Sequence, residues 1–317
     1  MKLILELSLD NPLLGVEEIK ATTKSTIKRF DKYVVLETNK DLKKLAKLAY
    51  THNIFEFLFM TKNLEKKIET FDWQRAYRKD FSVKVYTPKS SLSKEKEFSK
   101  IIWKKLKNPE VNLKNASTKI FFFKFGERWL CGRFICETDK SYLQRFGRLL
   151  PESRPIITSP KLTRACINLT GISGNEVILD PFAGFGTTLI EAKLMGLKAE
   201  GYDLDETIIK KAKSNAEKMG VRINLIKNNA LDIKKKYDYV VTDVPYARNT
   251  SKKINVEELV TDFLNNAYNK IKKKITIIIP SNLNYKKILK NTKWKKNQEF
   301  EQYIHKSLSK RILLLTK

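Results

Sequence analysis

Residues 175–192 read NEVILDPFAGFGTTLIEA. An apolar strand, VILD, runs directly into a glycine-bearing loop that opens a helix. Gly184 and Gly186 let the backbone turn tightly and approach a ligand where a Cβ would block it. Such a strand–loop–helix unit needs partners of the same kind, and the chain supplies them. Lys198 to Asp203 reads as a strand and Asp205 to Met219 as a helix. INLI, YDYVVTDV and ITIII read as further strands, with a helix from Val256 onward. Strand and helix in strict alternation predict a doubly wound parallel sheet. The chain then ends in EFEQYIHKS and KRILLLT around a short turn, which predicts an antiparallel hairpin.

That ending fits a class I, Rossmann-like methyltransferase domain, and a nicotinamide dehydrogenase does not need it. Leu189 also stands where a dinucleotide fingerprint would place its third glycine or alanine. The expected fold is therefore α/β over residues 159–317, with SPKLTRACINLTG as its first helix and Pro160 in the first turn.

Residues 1–60 alternate differently. MKLILELSL, KYVVLET and NIFEFLFM read as strands, NPLLGVEEIK and DLKKLAKLAY as helices, an order that suits a ferredoxin-like α+β domain. Over residues 61–144, FSVKVYTP reads as a strand and KEKEFSKIIWKKL as an amphipathic helix. KIFFFKFGERWLCGRFI reads as a hairpin turning near Gly126. Residues 145–158, with Arg145, Arg148, Arg154 and two prolines, read as an arginine-rich linker.

The chemistry is concentrated at strand ends. Asp180 closes the first strand of the α/β region just before the loop Pro181, Phe182, Ala183, Gly184, Gly186 and Thr187. An acid there suits a ligand with a cationic amino group, such as the methionine part of S-adenosylmethionine, and suits a pyrophosphate poorly. At the next strand end, Asp203 can accept both ribose hydroxyl protons, with Leu204 beside it and Asp205 as the alternative or as a helix N-cap. Asn229, followed by Ala230, either accepts from the adenine amino group or shapes a turn.

The fourth strand ends in TDVPYAR. This pattern is similar to the Asp-Pro-Pro-Tyr signature of amino-group methyltransferases. An exocyclic amine is a poor nucleophile, because its lone pair is delocalised into the ring. Asp243 and the backbone carbonyl of Val244 can accept both amino hydrogens and aim that lone pair at a methyl group. Pro245 shapes the turn, and Tyr246 can stack on an extruded base. Val244 stands in place of the usual proline. Only its carbonyl is expected to be used, so a proline there is expected to be tolerated.

The net charge of +28, from 63 Lys and Arg against 35 Asp and Glu, predicts a polyanion partner. It is shared about equally by the two halves, so both are expected to touch that partner. Three cysteines without a CxxC spacing and two distant histidines speak against a zinc site or a disulfide framework. No metal is expected. The apolar runs are too short to span a membrane, and the first residues read as a strand, so a cytoplasmic protein is expected.

The motifs together resemble the archaeal tRNA guanosine N2-methyltransferases that act at position 10 of tRNA and carry a THUMP domain. FSVKVY, VNLKNASTKIFFFKFGERWLCGRFI, SRPIITSPKLTRACINLTG, DPFAGFGTTLIEA and TDVPYAR carry the resemblance, which covers nearly the whole chain. It implies a THUMP domain at residues 61–144 gripping the acceptor end of tRNA, and a catalytic domain that takes a guanosine and uses S-adenosylmethionine. The expected state is a monomer, with room for a small activator subunit. A guanosine elsewhere in tRNA or rRNA, and an RNA-binding protein without turnover, are the alternative readings.

Overall fold

The computed structural model describes residues 1–87, 92–145, 158–245, 255–305 and 308–317. The chain divides into two compact units.

The first unit is built on one seven-stranded sheet, in the order β2-β3-β1-β4-β7-β6-β5. Its strands are β1 (Lys2–Leu7), β2 (Ile27–Phe30), β3 (Tyr33–Glu37), β4 (Thr51–Thr61), β5 (Phe81–Tyr86), β6 (Thr118–Phe125) and β7 (Arg128–Glu137). Neighbours are antiparallel except β5 and β6. β4 runs through residue 60, where the sequence reading placed a domain boundary, and pairs with β7. The hairpin of β6 and β7 turns at Gly126, whose φ of 55° suits glycine. Phe59, Trp73, Phe81, Phe98, Phe122 and Trp129 share a core cluster under α3 (Leu64–Thr70), α4 (Trp73–Ala76) and α5 (Leu92–Trp103).

The second unit comprises Leu13–Thr22, Lys47–Tyr50 and Asp139–Lys317. Its sheet has the order β10-β9-β8-β11-β12-β14-β13. β8 (Val177–Asp180), β9 (Lys198–Asp203), β10 (Asn224–Lys227), β11 (Tyr237–Asp243) and β12 (Ile271–Pro280) run parallel. β13 (Lys295–His305) and β14 (Leu308–Thr316) form the antiparallel ending. The strand order reverses between β8 and β11, and a doubly wound sheet opens its ligand crevice at that point. The helices of the α/β repeat are α6 (Pro160–Leu169), α7 (Thr187–Leu194), α8 (Glu206–Lys218), α9 (Val256–Ala267) and α10 (Tyr285–Lys290). Ser159 caps α6 by accepting from Leu162 N, with Pro160 in the first turn.

One expected helix is much shorter than its pattern. DLKKLAKLAY forms only α2 (Leu42–Leu45). A buried carboxylate accounts for the difference. Glu18 accepts from Ala49 N at 2.7 Å and Tyr50 N at 2.9 Å, and from Asn168 Nδ2 of α6 at 2.7 Å. Those backbone donors go to Glu18 instead of to a helical turn. Burial pushes the Glu18 carboxyl up, and the three donors oppose that rise. Leu14, Ala49 and Tyr50 thereby join Leu162, Ala165, Cys166 and Leu169 in one core.

Among the described residues no helix is long and apolar enough to cross a membrane.

Candidate active site

β8 delivers Asp180 to the switch point because Ile178 and Leu179 are fully buried and fix the strand's register. The chain then turns through Gly184 and Gly186, with φ values of 49° and 84°. Gly186 has a second reason to be glycine. A Cβ there would lie 3.1 Å from Ile223 Cδ1 and 3.2 Å from Ala212 Cβ. α7 begins directly after it without a side-chain cap, which leaves its first N–H groups without the usual capping acceptor.

Asp180 is 2% exposed. Its Oδ1 accepts from Thr242 Oγ1 at 2.6 Å and from Phe182 N at 3.2 Å. Burial pushes its carboxyl up to about 6, against the lowering by Thr242, Thr188 and Phe182. A carboxylate held ready in so dry a place gains from a cationic ligand.

Asp203 ties the loop to β9. Its Oδ2 accepts from Gly184 N at 3.0 Å and its Oδ1 from Asp205 N at 3.0 Å. Each oxygen keeps a lone pair for a hydroxyl donor. Asp205 is the N-cap of α8, accepting from Thr207 N and Ile208 N. Asn229 accepts from Leu231 N at 2.9 Å through Oδ1, so the turn-shaping role is present.

These elements enclose a cavity of about 450 Å³. Of the residues expected to hold a cofactor, Asp180, Pro181, Phe182, Ala183, Gly184 and Thr187 line it. So do Asp203, Leu204, Asn229 and Ala230. Gly186 is not a lining residue and shapes the loop from behind. Asp243, Val244 and Pro245 line the same cavity, whereas Tyr246 lies outside the described residues.

Asp243 is the most unusual group here. Its Oδ2 accepts from Lys310 Nζ at 2.6 Å and from Thr158 Oγ1 at 2.5 Å. Lys310 Nζ also reaches Thr158 Oγ1 at 2.5 Å, closing a three-membered ring of contacts. The Lys310 side chain is 1% exposed. Asp243 Oδ1 is buried and has no hydrogen-bond partner among the described residues. Burial pushes the Asp243 carboxyl up, and Lys310 with Thr158 opposes that rise.

Two expectations are corrected. Arg145 is not an exposed RNA contact. Its guanidinium is bidentate on Glu191, Nε to Oε1 at 2.6 Å and Nη2 to Oε2 at 2.9 Å, and only 8% of the side chain is exposed. Arg164 of α6 meets the same carboxylate at 3.1 Å and reaches Asp139 at 2.9 Å. Arg148 and Arg154 lie outside the described residues. Val244 is not merely a carbonyl carrier, since its N–H donates to Ile278 O at 3.1 Å, extending the pairing of β11 with β12. A proline at 244 forfeits that bond.

Thr158, Thr188, Thr242 and Lys310 escaped the sequence reading. Thr242 precedes Asp243 and could have been found from strand alternation. Lys310 lies 67 positions from Asp243, in a chain with 63 Lys and Arg, and carries no local mark.

Comparison with known proteins fits this geometry. A family described as RMKL-like, methyltransferase domain, matches residues 153–310. A DNA methylase family matches residues 14–214. A tRNA (guanine(10)-N2)-dimethyltransferase of Pyrococcus abyssi is 28% identical over 94% of this chain and 94% of its own length. A protein of Methanothermococcus thermolithotrophicus named "Probable tRNA (guanine(10)-N2)-dimethyltransferase" is 36% identical. The match covers 48% of this chain and 95% of that protein. The chain belongs to the tRNA (guanine(10)-N2)-dimethyltransferase family. It is a methyltransferase. The solved structure of TrmN from Thermus thermophilus shares the fold, with a TM-score of 0.55, 17% identity and full coverage of both chains. So does SMU.472, a candidate methyltransferase complexed with SAH, with a TM-score of 0.50 and 14% identity over 99% of this chain and 97% of its own.

Proposed function

We propose that this enzyme transfers a methyl group from S-adenosylmethionine to the exocyclic amino group of a guanosine in tRNA, at position 10. The relatives' shared name extends the proposal to the dimethylated product. Residues 61–144 are proposed as a THUMP-type RNA-binding region and residues 1–60 as a ferredoxin-like one, with β4 carrying a single sheet across both. Residues 145–158 are the proposed linker to the catalytic domain, and Arg148 and Arg154 remain its proposed RNA contacts.

The observation that carries the proposal is Asp243 Oδ1, a buried carboxylate oxygen with no partner among the described residues, on a side chain that lines the cavity. A bare acceptor of this kind is complementary to an N–H donor and repels a carbonyl or an unprotonated ring nitrogen. With the Val244 carbonyl it offers two acceptors, which is what an amino group requires. Asp243 also provides the base within reach for the proton that the nitrogen sheds as its new bond forms.

The cavity residues fit the cofactor. Asp180 receives its ammonium, Asp203 its ribose hydroxyls, and the glycine loop admits its backbone-near portion. When bound, S-adenosylmethionine supplies a methyl group on a positively charged sulfur, open to displacement by an in-line nucleophile. The chain's own contribution is alignment and exclusion of water.

Single-turnover methylation by Asp243→Ala tests the assignment. Transfer should fall by at least about a thousandfold, while cofactor and tRNA affinities stay within a few fold. Near-parental turnover contradicts it.

A further inference from the structure

We infer that Lys310 is a positioning residue. It keeps Asp243 an ionised acceptor with one oxygen engaged and the other bare, and so selects an amino group as the methyl acceptor. The inference rests on the functional reading above.

Two oxygens of one carboxylate are treated in opposite ways. Oδ2 is saturated by Lys310 Nζ at 2.6 Å and Thr158 Oγ1 at 2.5 Å. Oδ1 is equally buried and has no partner among the described residues. The asymmetry fixes the plane of the carboxylate and leaves a single direction for an incoming donor. Lys310 is itself almost wholly enclosed, at 1% exposure. A buried ammonium is costly unless paired, and this one is paired with Asp243 and Thr158.

Chemistry gives the pair its purpose. A carboxylate this buried tends to hold a proton, and a protonated Asp243 would present a donor to the donor N–H of the substrate. The adjacent cation keeps the carboxylate charged without occupying Oδ1. The fold places it there by register. Lys310 of β14 sits opposite Pro280 at the end of β12, and Asp243 of β11 sits opposite Ile278 of the same strand.

Among the described residues, two other titratable groups interact electrostatically with Asp243. Asp180 on β8 feels its charge, and so does the Cys166 thiol on α6, which burial and both Asp243 and Glu18 push up. Asp180 acts on the cofactor side, so its titration appears in the pH dependence of cofactor binding and can be separated.

The test is the pH–rate profile of tRNA methylation at saturating S-adenosylmethionine, for the parent, Lys310→Met, Lys310→Arg and Thr158→Val. Calorimetry of cofactor binding across the same pH range accompanies it. Lys310→Met should move the acid limb up by about one to three pH units. At pH values below the parent's acid limb the loss is then about ten- to a thousandfold, in kcat and not in KM, and high pH should recover it. Lys310→Arg should restore most of the rate, and Thr158→Val should move the limb less. Cofactor affinity should be unchanged in all three. A loss in Lys310→Met that is equal at every pH, or that Lys310→Arg does not relieve, overturns the inference. If Lys310→Met fails to bind cofactor, Thr158→Val decides, and an unmoved limb there overturns it. A parent enzyme that methylates no tRNA contradicts the functional reading instead.

Discussion

Replacing Asp180 with Asn should make the free protein more stable and a poorer binder of cofactor. Burial raises the Asp180 carboxyl from 3.8 to about 6, so the fold favours its protonated form. The ionised form therefore costs stability. Below pH 3.8 both folded and unfolded chains hold the proton, and the cost is absent. It grows as pH rises toward 6 and is constant above. At about 1.4 kcal/mol per tenfold, the full rise corresponds to about 3 kcal/mol at neutral pH. Asn keeps one oxygen for Phe182 N and Thr242 Oγ1 but accepts less strongly, which returns about 1 kcal/mol. The net expectation is a gain of about 2 kcal/mol at pH 8 that shrinks to nothing near pH 4. Urea unfolding at the two pH values measures it. In titration calorimetry the same variant should bind S-adenosylmethionine at least about tenfold more weakly, having lost a charge-assisted contact. A variant less stable than the parent at pH 8, or one that binds cofactor equally well, refutes the reasoning.

Glu191→Ala should cost at least about 3–5 kcal/mol in urea unfolding, because it leaves two buried guanidiniums facing each other, and a loss under about 1 kcal/mol contradicts that. Val244→Pro should lower the melting temperature by a few degrees through the lost N–H to Ile278 O, while methylation continues; an unchanged melting temperature shows the bond to be worthless. A fragment of residues 153–317 should fail to unfold cooperatively. It lacks Leu14, Ala49, Tyr50 and Tyr142 from the core around α6, and it lacks Arg145 and Asp139 from the ion-pair network. A fragment that melts like the parent counts against the second unit's composition.

The doubly wound half was legible because each signal was local. VILD before a glycine loop, Asp at strand ends, and an apolar run before TDVPY are patterns of adjacent residues. Ten of the eleven residues expected to hold the cofactor line one cavity. What escaped depends on side chains far apart in sequence. Arg145 reads as one arginine among several in a basic stretch, and only the fold brings Glu191 to it across 46 positions. DLKKLAKLAY has the period of a helix, but Glu18 claims its last amides from outside. Lys310 is hidden by abundance. Its strand, KRILLLT, announces burial through its leucines and gives no sign that the lysine is buried as well.

This site is proposed to methylate the amino group of a guanosine in tRNA. Mass mapping of nucleosides from tRNA transcripts treated with the pure protein and S-adenosylmethionine tests it most directly. N2-methylated guanosine at position 10 is expected with the parent and none with Asp243→Ala. Methyl groups on adenosine, on a ring nitrogen or on ribose, or an unmodified tRNA under conditions where cofactor binds, would contradict it.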